Sequence, residues 1–370
     1  MAWMSQQHTL AIGLEGIAVA ETDLSLVDGL NGLLVYRGHW ARDLAINHTF
    51  EEVAHLLWYG HLPNEQELAE LKGKLKANRE LPAHVKSILD LIPADVDMMS
   101  VLRTGVSTLG SADYGWPPTL DQVISLTAKM PTIVAYRYAR LCGREPLDPN
   151  PALDHTANYL YMLKGQEPNP AHVRALDAYL ILTQEHGMNA STFSGRVVSS
   201  TQSDLISSIT AAIGALKGPL HGGAPSEVTE MIEAIGTKEN AEPWLRAKLE
   251  KGERLMGFGH RVYKTVDPRA TALRVVASQL SGDDPWFDLA THVEQVGLKL
   301  LEEYKPGRKL NTNVEFFAAA VMRAVGLDDS LFTPTFAVSR VVGWSAHILE
   351  QAKNNRIIRP QSIYTGPMPE

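Results

Sequence analysis

A chain of 370 residues, 45% hydrophobic and 21% charged, has the make-up of a globular protein long enough for two domains, and it contains no apolar run near the roughly 20 residues of a membrane span. The net charge of -8 argues against a general nucleic-acid binder. The single cysteine, Cys142, rules out an internal disulfide framework or a cysteine-rich zinc site, and with no basic-then-apolar leader a cytoplasmic protein is expected.

Strand signals are confined to the first forty residues. Residues 17–22 and 33–37 flank turn signals at Asp28-Gly29 and Asn31-Gly32, which predicts a small hairpin or meander. Helical signals follow. Thr49 with Glu52 forms a capping box ahead of Phe50, Val53, Ala54, Leu57 and Trp58, and Asn64 with Glu67 opens a charged helix running to about Arg79. Further helices are predicted over 83–91, 98–109, 120–141, 157–163, 170–184 and 205–216. After a break come 226–234, 241–251, 268–281, 289–304, 314–325 and 334–353. No fixed-period repeat or heptad run is present, so solenoids and coiled coils drop out. The fold expected is mostly α, in two domains, with the boundary near Gly222.

The break between the two sets of helices is Lys217-Gly-Pro-Leu-His-Gly-Gly-Ala-Pro-Ser-Glu227, where His221 sits among glycines that let a ligand come close. Facing the next helix N-terminus, its imidazole would be held neutral and able to donate to a carbonyl. Nine other histidines read as surface or satisfied core residues. His186, before Gly187, reads on its own first as a C-cap complementing the helix dipole and only second as a ligand-binding residue. His260 lies in Met256-Gly-Phe-Gly-His-Arg-Val-Tyr-Lys-Thr-Val-Asp-Pro-Arg269, where two glycines open the backbone to an oxygen and Arg269 can hold a carboxylate. Five basic residues and one acid between Arg254 and Arg274 suggest a focused anion site on an acidic protein.

Glu315, an acid among apolar residues where a helix begins, reads as an ordinary first-turn carboxylate or as a general base with a raised pKa. Arg340 and Arg359 read as buried clamps or as surface charges. With no repeated metal-ligand spacing, the set suits proton abstraction next to a carbonyl on a substrate with several carboxylates.

Gly218-Pro-Leu-His-Gly-Gly-Ala, Gly257-Phe-Gly-His-Arg-Val-Tyr-Lys with Asp267-Pro-Arg269, Asn313-Val-Glu-Phe, Ser339-Arg-Val-Val-Gly and Arg359-Pro-Gln-Ser together resemble the citrate synthase family, in order and spacing, over nearly the whole chain. The resemblance implies an almost wholly helical homodimer. Its large domain (1–222 plus 326–370) and small domain (223–325) would close over oxaloacetate and acetyl-CoA, with no further cofactor and no metal. It implies that His221 hydrogen-bonds the thioester carbonyl, that Glu315 removes a methyl proton, and that His260 polarises the ketone. His186, Arg269, Arg340 and Arg359 would hold the oxaloacetate carboxylates, Arg359 from the partner subunit, and Lys264 and Arg308 would meet the CoA phosphates. The family base is usually aspartate, and here it is glutamate. Three alternatives differ in chemistry: a 2-methylcitrate synthase using propionyl-CoA, a non-catalytic CoA- or dicarboxylate-binding protein, and a metal-dependent hydrolase built on His186, His221, His260 and Glu315.

Overall fold

The computed structural model describes residues 10–222, 224–260, 262–281 and 285–369. Gly223 and Arg261, both within motifs singled out above, lie outside the described residues.

Three short antiparallel strands open the described chain: β1 (Ser25–Asp28), β2 (Leu33–Tyr36) and β3 (His39–Trp40), in the order β1-β2-β3 with Ser25 opposite Tyr36 and Asp28 opposite Leu33. The first strand therefore lies downstream of the predicted 17–22 segment. That segment is largely exposed and has no ladder partner, so its β-branched composition alone does not make it a strand. The β1–β2 turn is organised by Asp28, whose Oδ1 accepts from the amides of Leu30 and Asn31 at 3.0 Å each, with Gly32 at a φ of 66°.

Ten helices follow: α1 (Ala41–Asn47), α2 (Phe50–Tyr59), α3 (Glu65–Ala77), α4 (Ala83–Leu91), α5 (Met98–Ser107), α6 (Leu120–Leu141), α7 (His155–Lys164), α8 (Pro170–Gln184), α9 (Ala190–Ser200) and α10 (Leu205–Leu216). Both predicted capping boxes are formed, at Thr49–Glu52 and Asn64–Glu67, and a third joins Thr119 and Gln122 at the start of α6. A second set comprises α11 (Ala224–Ile235), α12 (Lys238–Glu250), α13 (Pro268–Ser281), α14 (Pro285–Tyr304) and α15 (Val314–Ala324), and α16 (Phe332–Lys353) returns to the first set. None of the described helices is long and apolar enough to cross a membrane.

The core is built around α8 and α16, which are apolar on nearly every side and buried accordingly. α16 lies on α8, α9, α10, α6 and α2, while α13 and α15 also reach α8. Gly343 permits the closest approach: a Cβ there would collide with the Gln184 carbonyl oxygen and with Glu185 Oε2. Within the second set, α13 packs on α15 and α12 on α14, with α11 across α15, so these helices bury their faces mainly against one another.

Candidate active site

α8 ends at Gln184, and the next residues, Glu185 and His186, enter the centre of the molecule. Glu185 is fully buried. Its Oε1 accepts from Ser25 Oγ at 2.8 Å and from the Gly187 amide at 2.6 Å, and it meets His347 Nε2 at 3.0 Å; its carbonyl accepts from Tyr36 Oη at 2.7 Å. Burial works to raise this carboxyl, but His347, Arg340 and Ser25 outweigh it and hold it below the ordinary range. The residue before His186 is thereby fixed on both main chain and side chain, and His186 Nε2 in turn meets Tyr263 Oη at 3.1 Å.

His221 occupies the turn after α10, its amide donating to the Gly218 carbonyl at 2.9 Å. Its Nε2 faces Ser191 at the start of α9, with the Ser191 amide at 3.3 Å and Oγ at 2.7 Å, and Trp344 Nε1 donates to the same Oγ at 3.0 Å. A backbone amide can only donate, so this contact makes Nε2 an acceptor and puts the ring proton on Nδ1. Burial, then Arg340, lowers the His221 pKa to about 4, so the ring is neutral at physiological pH. The predicted neutral imidazole is thus present. Burial and the nearby Arg340 lower its pKa.

The loop bearing His260 depends on two left-handed glycines, Gly257 (φ 80°) and Gly259 (φ 78°). It is stitched to the segment preceding α15: Gly259 N donates to Asn311 O at 2.7 Å, Asn313 N to Gly257 O at 2.9 Å, and Asn313 Nδ2 to Gly259 O at 2.9 Å, with a bridge pairing Phe258 and Thr312. Asn313 also caps α15 by accepting from the Glu315 amide at 3.1 Å. His260 and Glu315 therefore ride on one unit.

His260 Nδ1 accepts from the amides of Val262 and Tyr263 at 3.0 and 3.1 Å, which leaves the proton on Nε2. Nε2 nevertheless faces Arg269 Nη2, another donor, at 3.2 Å. Two donors converging on one point call for an oxygen acceptor between them. Burial, then Arg269, lowers the His260 pKa to about 4, so the ring is again neutral. Burial together with the same two arginines holds His186 well below its ordinary value.

Arg269 and Arg340 are both buried, at 4% and 1% exposure. The sequence reading missed the partner of Arg269: Asp267 takes its Nε at 3.0 Å and Nη2 at 2.8 Å, and also accepts from the Val314 amide at 3.1 Å. The signal was there in Asp267-Pro268 at a helix start. Part of the guanidinium fork predicted to clamp a ligand is therefore engaged internally, and Nη1 is the end left over. Arg340 Nε donates to the Thr183 carbonyl at 2.6 Å, and its guanidinium lies 4.7 Å from the Phe336 ring centre.

Glu315 and His221 line one small cavity with Tyr179, Thr183, Arg269 and Phe336, of about 20 Å³, roughly the room one water needs. Its Oε2 is buried without a partner. Burial raises the Glu315 pKa, and Arg269 offsets that only in part.

Six of the nine predicted site residues converge: His186, His221, His260, Arg269, Glu315 and Arg340. Lys264 and Arg308 are exposed on loops and do not line the cavity, the Lys264 amide donating to Gly29 O at 2.7 Å. Arg359 is exposed on the C-terminal tail, beside Arg356 and the start of the described chain, and does not reach the cluster within this chain. Ser191, Tyr263 and Glu185 were not foreseen. Ser191 lies on a helix the sequence did not reveal, whereas Tyr263 stood inside a motif already singled out.

The family model for the citrate synthase C-terminal domain matches residues 13–361. The chain is 44% identical to citrate synthase 2 of Bacillus subtilis (strain 168), over 97% of this chain and 96% of that one. It is 42% identical to a 2-methylcitrate synthase of Shewanella oneidensis, over 96% and 95%. Among solved structures, the ternary complex of carboxymethyl coenzyme A and oxaloacetate with citrate synthase from Thermoplasma acidophilum superposes with a TM-score of 0.91, at 32% identity, covering 98% of this chain and 97% of that one.

Proposed function

The chain belongs to the citrate synthase family, and from that premise we propose how its own side chains divide the work. It is an acyltransferase that condenses acetyl-CoA with oxaloacetate and water to citrate and CoA. The observation that carries the assignment of roles is that His221 and Glu315 line one small cavity, the first a neutral imidazole and the second a carboxylate with an unpartnered buried oxygen.

Glu315 Oε2 takes a proton from the thioester methyl. A thioester methyl is a weak acid, so the charge that develops on the carbonyl oxygen needs a donor, which His221 Nδ1–H supplies. The resulting enol(ate) carbon bonds to the ketone carbon of oxaloacetate; the carbonyl π pair moves to the oxygen, held by His260 Nε2–H and Arg269, which takes the Nε2 proton and stays as the hydroxyl of citryl-CoA. Water then cleaves the thioester, releasing CoA. Arg269, Arg340 and His186 hold the oxaloacetate carboxylates, joined by Arg359 of a second subunit in a homodimer. Lys264 and Arg308 meet the CoA phosphates from the rim. Residues 223–325 act as a small domain that swings against 1–222 plus 326–370, and the reaction needs no cofactor beyond its substrates. The setting is the cytoplasm.

Because 2-methylcitrate synthases are about as similar to this chain as citrate synthases are, the thioester must be tested directly. One methylene discriminates by about 1 to 3 kcal/mol. Steady-state turnover with oxaloacetate is expected to favour acetyl-CoA over propionyl-CoA, and a strong propionyl preference would make this a methylcitrate enzyme. Glu315→Gln is expected to abolish exchange of the acetyl-CoA methyl protons while oxaloacetate still binds; exchange that survives in this variant removes Glu315 as the base.

A further inference from the structure

Apart from the catalytic cavity, a second cluster of coordinating groups lies where α2 turns into α3. One ring nitrogen each of His55 and His61 and a carboxylate oxygen of Glu67 fall within 4.8 Å of one another. The spacing, His-x5-His-x5-Glu, belongs to no helical metal motif, so it is invisible as a pattern; the fold creates it by reversing the chain at Gly60, which adopts a φ of 92°.

His55 and Glu67 are each held by an outer contact that leaves a coordinating atom available, and His61 reaches that Glu67 oxygen through its ring. His55 Nδ1 lies 2.9 Å from the His61 carbonyl, which can only accept, so Nδ1 carries the proton and Nε2 holds the lone pair. The ring is further fixed by stacking on Tyr59 at 4.2 Å. Glu67 Oε2 accepts from the Asn64 amide at 2.8 Å as part of the capping box, while Oε1 points to His61 Nε2 at 3.1 Å. A histidine bonded to a backbone carbonyl and a carboxylate bonded to an amide are the outer contacts that orient metal ligands. The 3.1 Å between His61 Nε2 and Glu67 Oε1 is close to the separation expected of two ligands each about 2.0 to 2.2 Å from a tetrahedral zinc.

We propose that His55, His61 and Glu67 form a divalent transition-metal site, with zinc the best match to two imidazoles and one carboxylate and with water in the fourth position. The side chains of His61 and Glu67 are 56% and 36% exposed, so the ion enters from solvent and keeps an open coordination place. Its role is to tie the end of α2 to the start of α3. That region matters to the core because Trp58 Nε1, also on α2, donates to the Val342 carbonyl at 3.2 Å and to Ser345 Oγ at 3.1 Å on α16.

The test uses the full chain freed of metal with EDTA, titrated with zinc chloride by calorimetry and with cobalt(II) by absorbance. Expected are one zinc per chain, tetrahedral cobalt bands, and a higher melting temperature with zinc than without. His61→Ala and Glu67→Gln should each weaken zinc binding by at least about tenfold. Glutamine can still accept from the Asn64 amide, so the second variant preserves the helix cap, and both variants should retain turnover in EDTA. Absence of zinc binding at micromolar concentrations, or stoichiometric binding of unchanged affinity in both variants, would overturn the proposal and leave His61 and Glu67 as a surface ion pair.

Discussion

At the scale of single residues, the site works by fixing which nitrogen carries a proton. His221 and His260 are both neutral, yet they present opposite ring atoms: Nδ1–H on His221, because Ser191 occupies Nε2, and Nε2–H on His260, because two amides occupy Nδ1. Ser191 touches no reacting atom in this scheme and acts through His221, so its replacement should affect chemistry more than binding. Ser191→Ala removes one hydrogen bond to the ring and strands Trp344 Nε1, and kcat should fall about tenfold, the equivalent of one net hydrogen bond. Oxaloacetate affinity should hold, and equal losses in affinity and kcat would mean general damage to the fold instead. The sequence made the two histidines legible because each stands beside glycine, and Glu315 because it is an acid among apolar residues at a helix start. It concealed Ser191 and Glu185, since a serine in a helix and a glutamate at a helix end carry no local sign of what they will touch.

At the scale of elements, the least expected contact is between the β1–β2 turn and the loop after His260. A Cβ at Gly29 would fall on the Val262 carbonyl oxygen, and one at Gly32 would come within 2.7 Å of Thr265 Cγ2 and 2.9 Å of the Val266 carbonyl oxygen. The strand region at the beginning of the chain thus serves as a seat for the catalytic loop. Gly29→Ala should lift residues 262–266 and shift His260, lowering kcat/KM on the order of a hundredfold if the displacement reaches about 1 Å. Circular dichroism should show the helices intact, and unchanged kinetics would dismiss the seat. The two turns were readable from Asp28-Gly29 and Asn31-Gly32, whereas their partner, 233 residues on from Gly29 at Val262, was not. The same limit explains the unforeseen α1 and α9. α9 reads as Ala-Ser-Thr-Phe-Ser-Gly-Arg-Val-Val-Ser-Ser, weak in helix formers, and it is stabilised by close packing on α10, where a Cβ on Gly195 would meet Ser208 O at 3.5 Å. Tertiary contact overrides propensity there.

At the scale of the whole molecule, buried ionisable groups pull stability in opposite directions with pH. His155, stacked on Phe50 and sealed in the core, is lowered by burial to about 3. Below its ordinary value near 6.5 the unfolded chain binds this proton and the folded chain does not, so the contribution weakens stability as pH falls from about 6.5 to 3. Asp177 behaves oppositely: burial and Glu51 raise it to about 7, and its effect erodes stability as pH rises from about 4 to 7. His155→Gln should therefore close the stability gap to the parent protein, or invert it, by on the order of 2 kcal/mol between pH 6.5 and 4.5, measured as urea midpoints at the two pH values. A pH-independent gap would show that the core leaves His155 titrating as it does in the unfolded chain. The stitching of the Gly257–Gly259 loop to Asn311–Asn313 bears on ancestry as well. Its two main-chain bonds and one Asn313 side-chain bond tie His260 and Glu315, the proposed ketone holder and base, to one unit. A lineage can then retune the opposite wall, around Phe336 and Thr183, toward a longer or shorter acyl chain without having to rediscover how the proton is removed.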